Sequence, residues 1–126
     1  MRLTNGLSFL ASGAAAVSPL VKLDYSSYQG VALGNHVTQW LGMRYAASPV
    51  GKLRFAAPHD PPSQYGVQQA DKHGPICIGT GDGPPTKDMN EDCLVLDVYA
   101  PSNATADSKL PVYFVSCGLC IAVACS

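Results

Sequence analysis

Between Pro58 and Pro85 the chain places six prolines and five glycines in 28 residues. Proline removes a backbone donor and fixes φ, and glycine carries the largest backbone entropy cost, so this stretch excludes regular helix or central strand through most of its length. It is predicted to be a long surface excursion with one helical turn near Gln68–Lys72. Loops of this length in small domains are functional or tied down. The segments on either side must therefore supply the ordered core.

The flanking segments read as strands. Val31, Leu33, Val37 and Trp40 surround Gly34-Asn35, two residues that tolerate positive φ, so Gly30–Leu41 is predicted as a β-hairpin. A third short strand is expected at Leu41–Tyr45, ended by Ser48-Pro49-Val50-Gly51. Beyond the excursion, Cys93–Ala100 alternates, with Leu94, Leu96 and Val98 on one face and Val95, Asp97 and Tyr99 on the other. Pro101–Lys109 is a polar turn region. Leu110–Val115 is nearly continuous apolar sequence, the pattern of a strand buried on both faces. No repeat or heptad pattern occurs.

Composition narrows the function classes. Hydrophobic residues are 47% and charged residues 13%, with a formal net charge of −1. That balance suits a globular core and offers no footprint for nucleic acid or an anionic membrane. Val112–Cys125 is apolar but falls short of the roughly 20 residues of a membrane-spanning helix, so no transmembrane segment is expected.

Residues 1–16 read as a signal peptide. Arg2 supplies the positive start, Leu7–Val17 the small apolar stretch, and Ala14-Ala15-Ala16 the cleavage site. A secreted, extracellular chain is the expectation. Asn103-Ala104-Thr105 lies in the polar connection between two strands, as a glycosylation sequon would. Of five cysteines, Cys77 and Cys93 lie in the body, while Cys117, Cys120 and Cys125 crowd the last ten residues. An odd count in a secreted chain points to a free thiol or an anomalous tail.

Three stretches occur in a distinctive order. The first is Trp40-Leu41-Gly42-Met43-Arg44-Tyr45-Ala46 with Pro49-Val50-Gly51-Lys52-Leu53-Arg54-Phe55 and Pro58. The second is Gly74-Pro75-Ile76-Cys77, and the third runs from Glu91-Asp92-Cys93 through Pro101. Together they resemble the N-terminal quarter of the type-B carboxylesterases, the group that holds fungal lipases and cholinesterases. The resemblance covers Tyr28–Phe114. Val95 departs from it, standing where Tyr, Thr or Phe is usual.

The resemblance implies an α/β-hydrolase fold of class α/β, here an incomplete N-terminal part: a β-hairpin plus the first central-sheet strands. It implies a disulfide between Cys77 and Cys93, which would close the excursion and contribute about 3 kcal/mol in the chain-entropy model. It also implies a salt bridge between Arg54 and Glu91, where a forked guanidinium suits a carboxylate just before a strand. The activity implied is carboxylic ester hydrolysis, with an ester or lipid substrate only in a complete enzyme.

The chemistry such an enzyme needs is missing from these residues. No serine sits in a G-x-S-x-G elbow. His36, His59 and His73 precede any nucleophile, contrary to the fold's Ser, acid, His order, and read as loop or surface histidines. No catalytic, cofactor-binding or metal residue is assigned, and no cofactor is expected. Relatives follow a strand like Leu110–Phe114 with successive glycines that shape the oxyanion site. Here Val115-Ser116 follows, a dipeptide whose codons can read as a 5′ splice donor. Residues 115–126 are therefore taken as a non-homologous tail from a retained intron or a truncation, and Cys117-x-x-Cys120 as accident rather than a redox motif.

Two readings follow from different classes. One is an inactive N-terminal fragment of a secreted ester hydrolase, spanning 17–114. The other is a non-catalytic secreted binding module on the same scaffold. Without amphipathic helices to cover Leu94, Leu96, Val98, Val112 and Phe114, the chain is expected to be marginally stable and aggregation-prone.

Overall fold

The computed structural model describes residues 18–79, 83–105 and 107–115. Residues 1–16, read above as a signal peptide, and residues 116–126 lie outside the described residues. What is described is strand-rich. β1 is Leu20–Lys22, β2 Ser27–Gln29, β3 Val31–Ala32, β4 Val37–Arg44, β5 Val67–Gln69, β6 Ile76–Cys77, β7 Met89–Asn90 and β8 Val95–Pro101. The single helical element among the described residues is a 3₁₀ turn at Gly51–Leu53.

These strands form three small sheets ordered β1-β2-β5, β3-β4-β8 and β6-β7. β1 runs antiparallel to β2, and β5 joins β2 in parallel, pairing Ser27 with Val67 and Gln29 with Gln69. The helical turn expected near Gln68–Lys72 is thus not formed: Gln68 and Gln69 lie in β5. Gln69, Ala70 and the Leu41–Asp71 bridge continue its pairing. The competing force is the ladder: β2 offers free carbonyls, and the Ala70 N–H donates to Gln29 O at 2.8 Å.

The hairpin forms between β3 and β4, with Val31 opposite Gln39 and Ala32 opposite Thr38. Its turn differs in detail from the Gly34-Asn35 expectation. His36, not Gly34 or Asn35, carries the positive φ, at 63°. The loop therefore matches a three-residue connection, in which a turn is followed by one left-handed residue. The Leu33 N–H donates to Val37 O at 2.7 Å and closes it.

The separate third strand at Leu41–Tyr45 is also corrected. β4 continues unbroken through Arg44, with a bulge between Trp40 and Met43. On β8 the corresponding partners are Val98 and Leu96, so β4 spends three residues against two. Without that extra residue, strict alternation would send Met43 to the face opposite Trp40. With it, Trp40 and Met43 both enter the core beside Tyr28 and Ala70, and Val21, Tyr25, Leu96 and Ala100 pack around them.

The bulge leaves two amides off the β8 ladder, and both are satisfied. Leu41 N–H donates to Ala70 O at 2.9 Å, and Gly42 N–H donates to Asp97 Oδ1 at 2.8 Å. Gly42 sits at φ +67°, and a Cβ there would lie 2.7 Å from Lys72 O. Glycine is required twice over, by conformation and by space. At the other end of the core, Pro19 O accepts from Gly30 N–H at 2.7 Å and from Trp40 Nε1–H at 2.8 Å, so the buried indole donor is not orphaned.

Leu110–Val115 is not a strand here. Val112 and Tyr113 are each 91% exposed, Phe114 75% and Val115 73%. No described strand runs beside this segment, and without a ladder or a covering layer an apolar pattern cannot become a buried strand.

Candidate functional site

The three motif stretches converge where β4, the 3₁₀ turn, the disulfide and the start of β8 meet. Cys77 and Cys93 are joined by a disulfide, with their Cα atoms 5.1 Å apart and 16 positions apart in sequence. β6 runs into Cys77, and β7 lies inside the loop that the disulfide closes. Ile76 pairs with Met89 and Cys77 with Asn90, in parallel, and Ile76 N–H donates to Asp88 O. The excursion thus returns to the strand it left before β8 begins.

Arg54 Nη2 lies 2.9 Å from Glu91 Oε1, with side chains 57% and 38% exposed. Pairs this exposed are screened by solvent and contribute little. The Arg54 guanidinium also lies 5.3 Å from the centroid of the Phe55 ring.

A second ion pair, absent from the sequence reading, is better placed. Arg44 and Asp92 form a two-pronged contact, Nη1 to Oδ1 at 2.7 Å and Nη2 to Oδ2 at 2.9 Å. The Arg44 hydrogen bonds hold the Asp92 carboxyl below its ordinary value of 3.8, against partial burial, with help from Ser48 and the Arg44 charge. The geometry ties the end of β4 to the residue before Cys93. Tyr25 reinforces it by donating its hydroxyl to Arg44 O at 2.7 Å. Both partners stood inside the quoted motifs, but only the bulge fixes which way Arg44 points.

Asn103 is exposed in the turn that follows β8, where Ala104 N–H donates to Pro101 O at 3.0 Å. The neighbouring Thr105 is engaged with Ser108, through its amide at 2.8 Å and its hydroxyl at 3.1 Å. His36 occupies the hairpin turn and His59 an exposed loop whose carbonyl accepts from Ala47 N–H. His73 is different: its Nδ1 lies 2.6 Å from Asp97 Oδ2.

The described residues contain no cluster of three His, Cys, Asp or Glu side chains that could hold a metal ion. The surface of the described residues includes two depressions. The smaller, about 60 Å³, is lined by Ala47, Pro49, Leu53, Ala57, His59 and Leu94. The larger, about 360 Å³, is open and lined by Leu23, Asp24, Tyr25, Ser26, Gln64 and Tyr65, among others. One holds a histidine without a serine, the other serines without a histidine. Neither assembles a nucleophile and its base. Among the described residues no helix is long and apolar enough to cross a membrane.

Comparison with known proteins agrees with this scaffold. The model of the carboxylesterase family matches residues 18–118. The medium-chain fatty acyl-CoA hydrolase precursor of Anas platyrhynchos is 33% identical over 130 residues, covering 88% of this chain and 23% of that protein. Human cocaine esterase is 34% identical over 88 residues, covering 60% of this chain and 16% of that one. Among solved structures, Aspergillus niger EstA superposes with a TM-score of 0.69 at 50% identity, over 75% of this chain and 18% of that chain. The chain spans less than a quarter of the length of each of these relatives.

Proposed function

The chain belongs to the carboxylesterase family, and from that premise we propose that it forms the N-terminal scaffold of a secreted carboxylic ester hydrolase. Its solved relatives are esterases of the α/β-hydrolase fold, and the strands described here are a partial, strand-rich segment of such a fold. In this reading the disulfide, the Arg54–Glu91 pair and the Arg44–Asp92 pair hold the approach to the central sheet. None of them touches an ester. Asn103 carries an N-linked glycan on the exposed turn, and residues 1–16 direct export.

The single observation that carries this reading is the match to the family over 18–118. The chemistry it implies is acyl transfer: a serine attacks the ester carbonyl, a histidine moves the proton, and water releases the acyl group. No residue of this chain is assigned to those steps. The 126-residue chain by itself is expected to be inactive, because it contains no G-x-S-x-G nucleophile elbow.

Sequencing the mature transcript across the codons for Phe114 and Val115 tests the reading. A junction from Phe114 into a glycine-rich segment, with a G-x-S-x-G downstream, supports it. The purified 126-residue chain should then leave p-nitrophenyl butyrate unhydrolysed above buffer. A transcript that ends as written, together with soluble monomeric secretion of the product, would overturn it in favour of a non-catalytic binding module.

A further inference from the structure

We propose that the open cleft beside the β1–β2 turn binds a neutral oligosaccharide, with the Tyr65 ring as its platform and Asp24, Ser26 and Gln64 as polar partners. The cleft is about 360 Å³, within the roughly 300–1,000 Å³ of small-ligand sites. None of its lining residues belongs to the three motif stretches.

The backbone builds the two walls. One is the turn from Leu23 to Ser26 that joins β1 to β2, and the other is the segment from Ser63 to Tyr65 that leads into β5. Leu23 N–H donates to Ser26 O at 2.8 Å and closes the turn. Gln64 N–H donates to Tyr25 O at 2.8 Å and sets the spacing between the walls. Behind them β2 pairs with β5, and the Tyr25 hydroxyl is anchored on Arg44 O. Walls held by backbone bonds are preorganised, which lowers the ordering cost of binding.

The Tyr65 side chain is fully in solvent, at 99% exposure. A pyranose ring presents an apolar C–H face and a rim of hydroxyls. A flat aromatic ring covers such a face and removes apolar surface from water, while the phenol hydroxyl stays wet. Beside Tyr65 the cleft offers the Asp24 carboxylate, the Gln64 amide and the Ser63 hydroxyl. Carboxylates accept and amides both accept and donate, so together they match the hydroxyl rim of a sugar.

Ser26 points to a ligand independently. It is 5% exposed and lines the cleft. Among the described residues, its Oγ is the one buried side-chain polar atom without a hydrogen-bond partner. A buried hydroxyl with no partner is unfavourable, and the cleft is the side from which a ligand hydroxyl supplies one.

Charge selects among ligand classes. Asp24 is the only charged side chain in the lining, and it makes no ion pair among the described residues. A phosphate or carboxylate would meet this acid with no cation in the lining to hold it. A small cation would satisfy Asp24 and leave the amide and the serine hydroxyls unmet. A neutral polyhydroxylated ligand satisfies all of them.

Amide NMR of the isotope-labelled full chain, titrated with cellohexaose, xylohexaose and mannohexaose, tests the site. At least one sugar should shift the amides of the two walls along a single saturable curve. Tyr65→Ala should weaken that binding by about tenfold, and Ser26→Ala by about fivefold, the scale of one neutral hydrogen bond. The exposure of Tyr65 makes its variant compatible with folding. In every variant the Trp40 indole N–H, bonded to Pro19 O, reports whether the core is intact. Tetramethylammonium chloride probes the cation alternative. Asp24→Asn should cost a sugar no more than about threefold, because an amide still accepts. No saturable shift with any of the three sugars, unchanged affinity in an intact Tyr65→Ala chain, or binding of tetramethylammonium that Asp24→Asn abolishes, would overturn the assignment.

Discussion

β4 carries Thr38, Gln39, Gly42 and Arg44 among its apolar residues, whereas Leu110–Val115 is almost continuously apolar, and the two end in opposite environments. In β4, Thr38 is fully buried and Trp40 is 3% exposed, whereas Val112 and Tyr113 are 91% exposed. The more apolar segment is the exposed one, so hydrophobicity does not decide the outcome. β4 has β3 on one side, β8 on the other, and Tyr28 with Ala70 across its inner face. Leu110–Val115 has none of these among the described residues. A strand is made by its neighbours, because backbone donors need a ladder and apolar side chains need a cover.

Substitutions in the two regions sharpen that contrast. Trp40→Ala removes the largest side chain of the core and the donor to Pro19 O. It should cost about 3–5 kcal/mol, seen as a lost or strongly lowered urea midpoint by far-UV circular dichroism. A midpoint close to that of the parent chain would break the view that β4 organises the fold.

Asp92→Asn should have a middling effect, on the order of 1 kcal/mol, because the Arg44 and Asp92 side chains are 21% and 37% exposed and solvent screens the pair. Its signature is the pH dependence. The Asp92 carboxyl is held below 3.8 chiefly by its hydrogen bonds to Arg44. Its contribution is therefore complete above the unfolded carboxylate value of about 3.9 and is lost as pH falls through the lowered folded value. Acid titrations of the two chains should converge at low pH. Curves that stay parallel down to the acid limit would show that the pair contributes nothing to folding.

Phe114→Ser should shift the midpoint least, within about 0.5 kcal/mol, since the ring is 75% exposed. The same change should reduce light scattering on concentration, because an exposed apolar run invites edge-to-edge association. A loss comparable to that of Trp40→Ala would place Phe114 in a packed core in solution.

How much could be read in advance depended on the range of the interaction. The hairpin around Gly34-Asn35 was legible because turn and flanking alternation are local, yet the left-handed residue proved to be His36. The helical turn at Gln68–Lys72 failed because β2, some forty residues earlier in the chain, offered a parallel ladder. The β4 bulge was hidden in Leu41-Gly42, where a glycine read as part of a motif was also a conformational requirement. Arg44–Asp92 and His73–Asp97 were invisible for the same reason. Each joins residues on different strands or loops, and pairwise geometry decides them.

The sequence by itself determined the family, through three motif stretches kept in order, and confined regular structure to the segments outside Pro58–Pro85. It also marked the absence of a nucleophile elbow in these residues. Only the tertiary structure decided that β4 is one bulged strand, which carboxylate each cation meets, and that Leu110–Val115 stays exposed. Motifs and turn residues act through neighbours a few positions away. Ladders, bulges and ion pairs form between residues that only folding brings together, so their identity is a property of the packed chain.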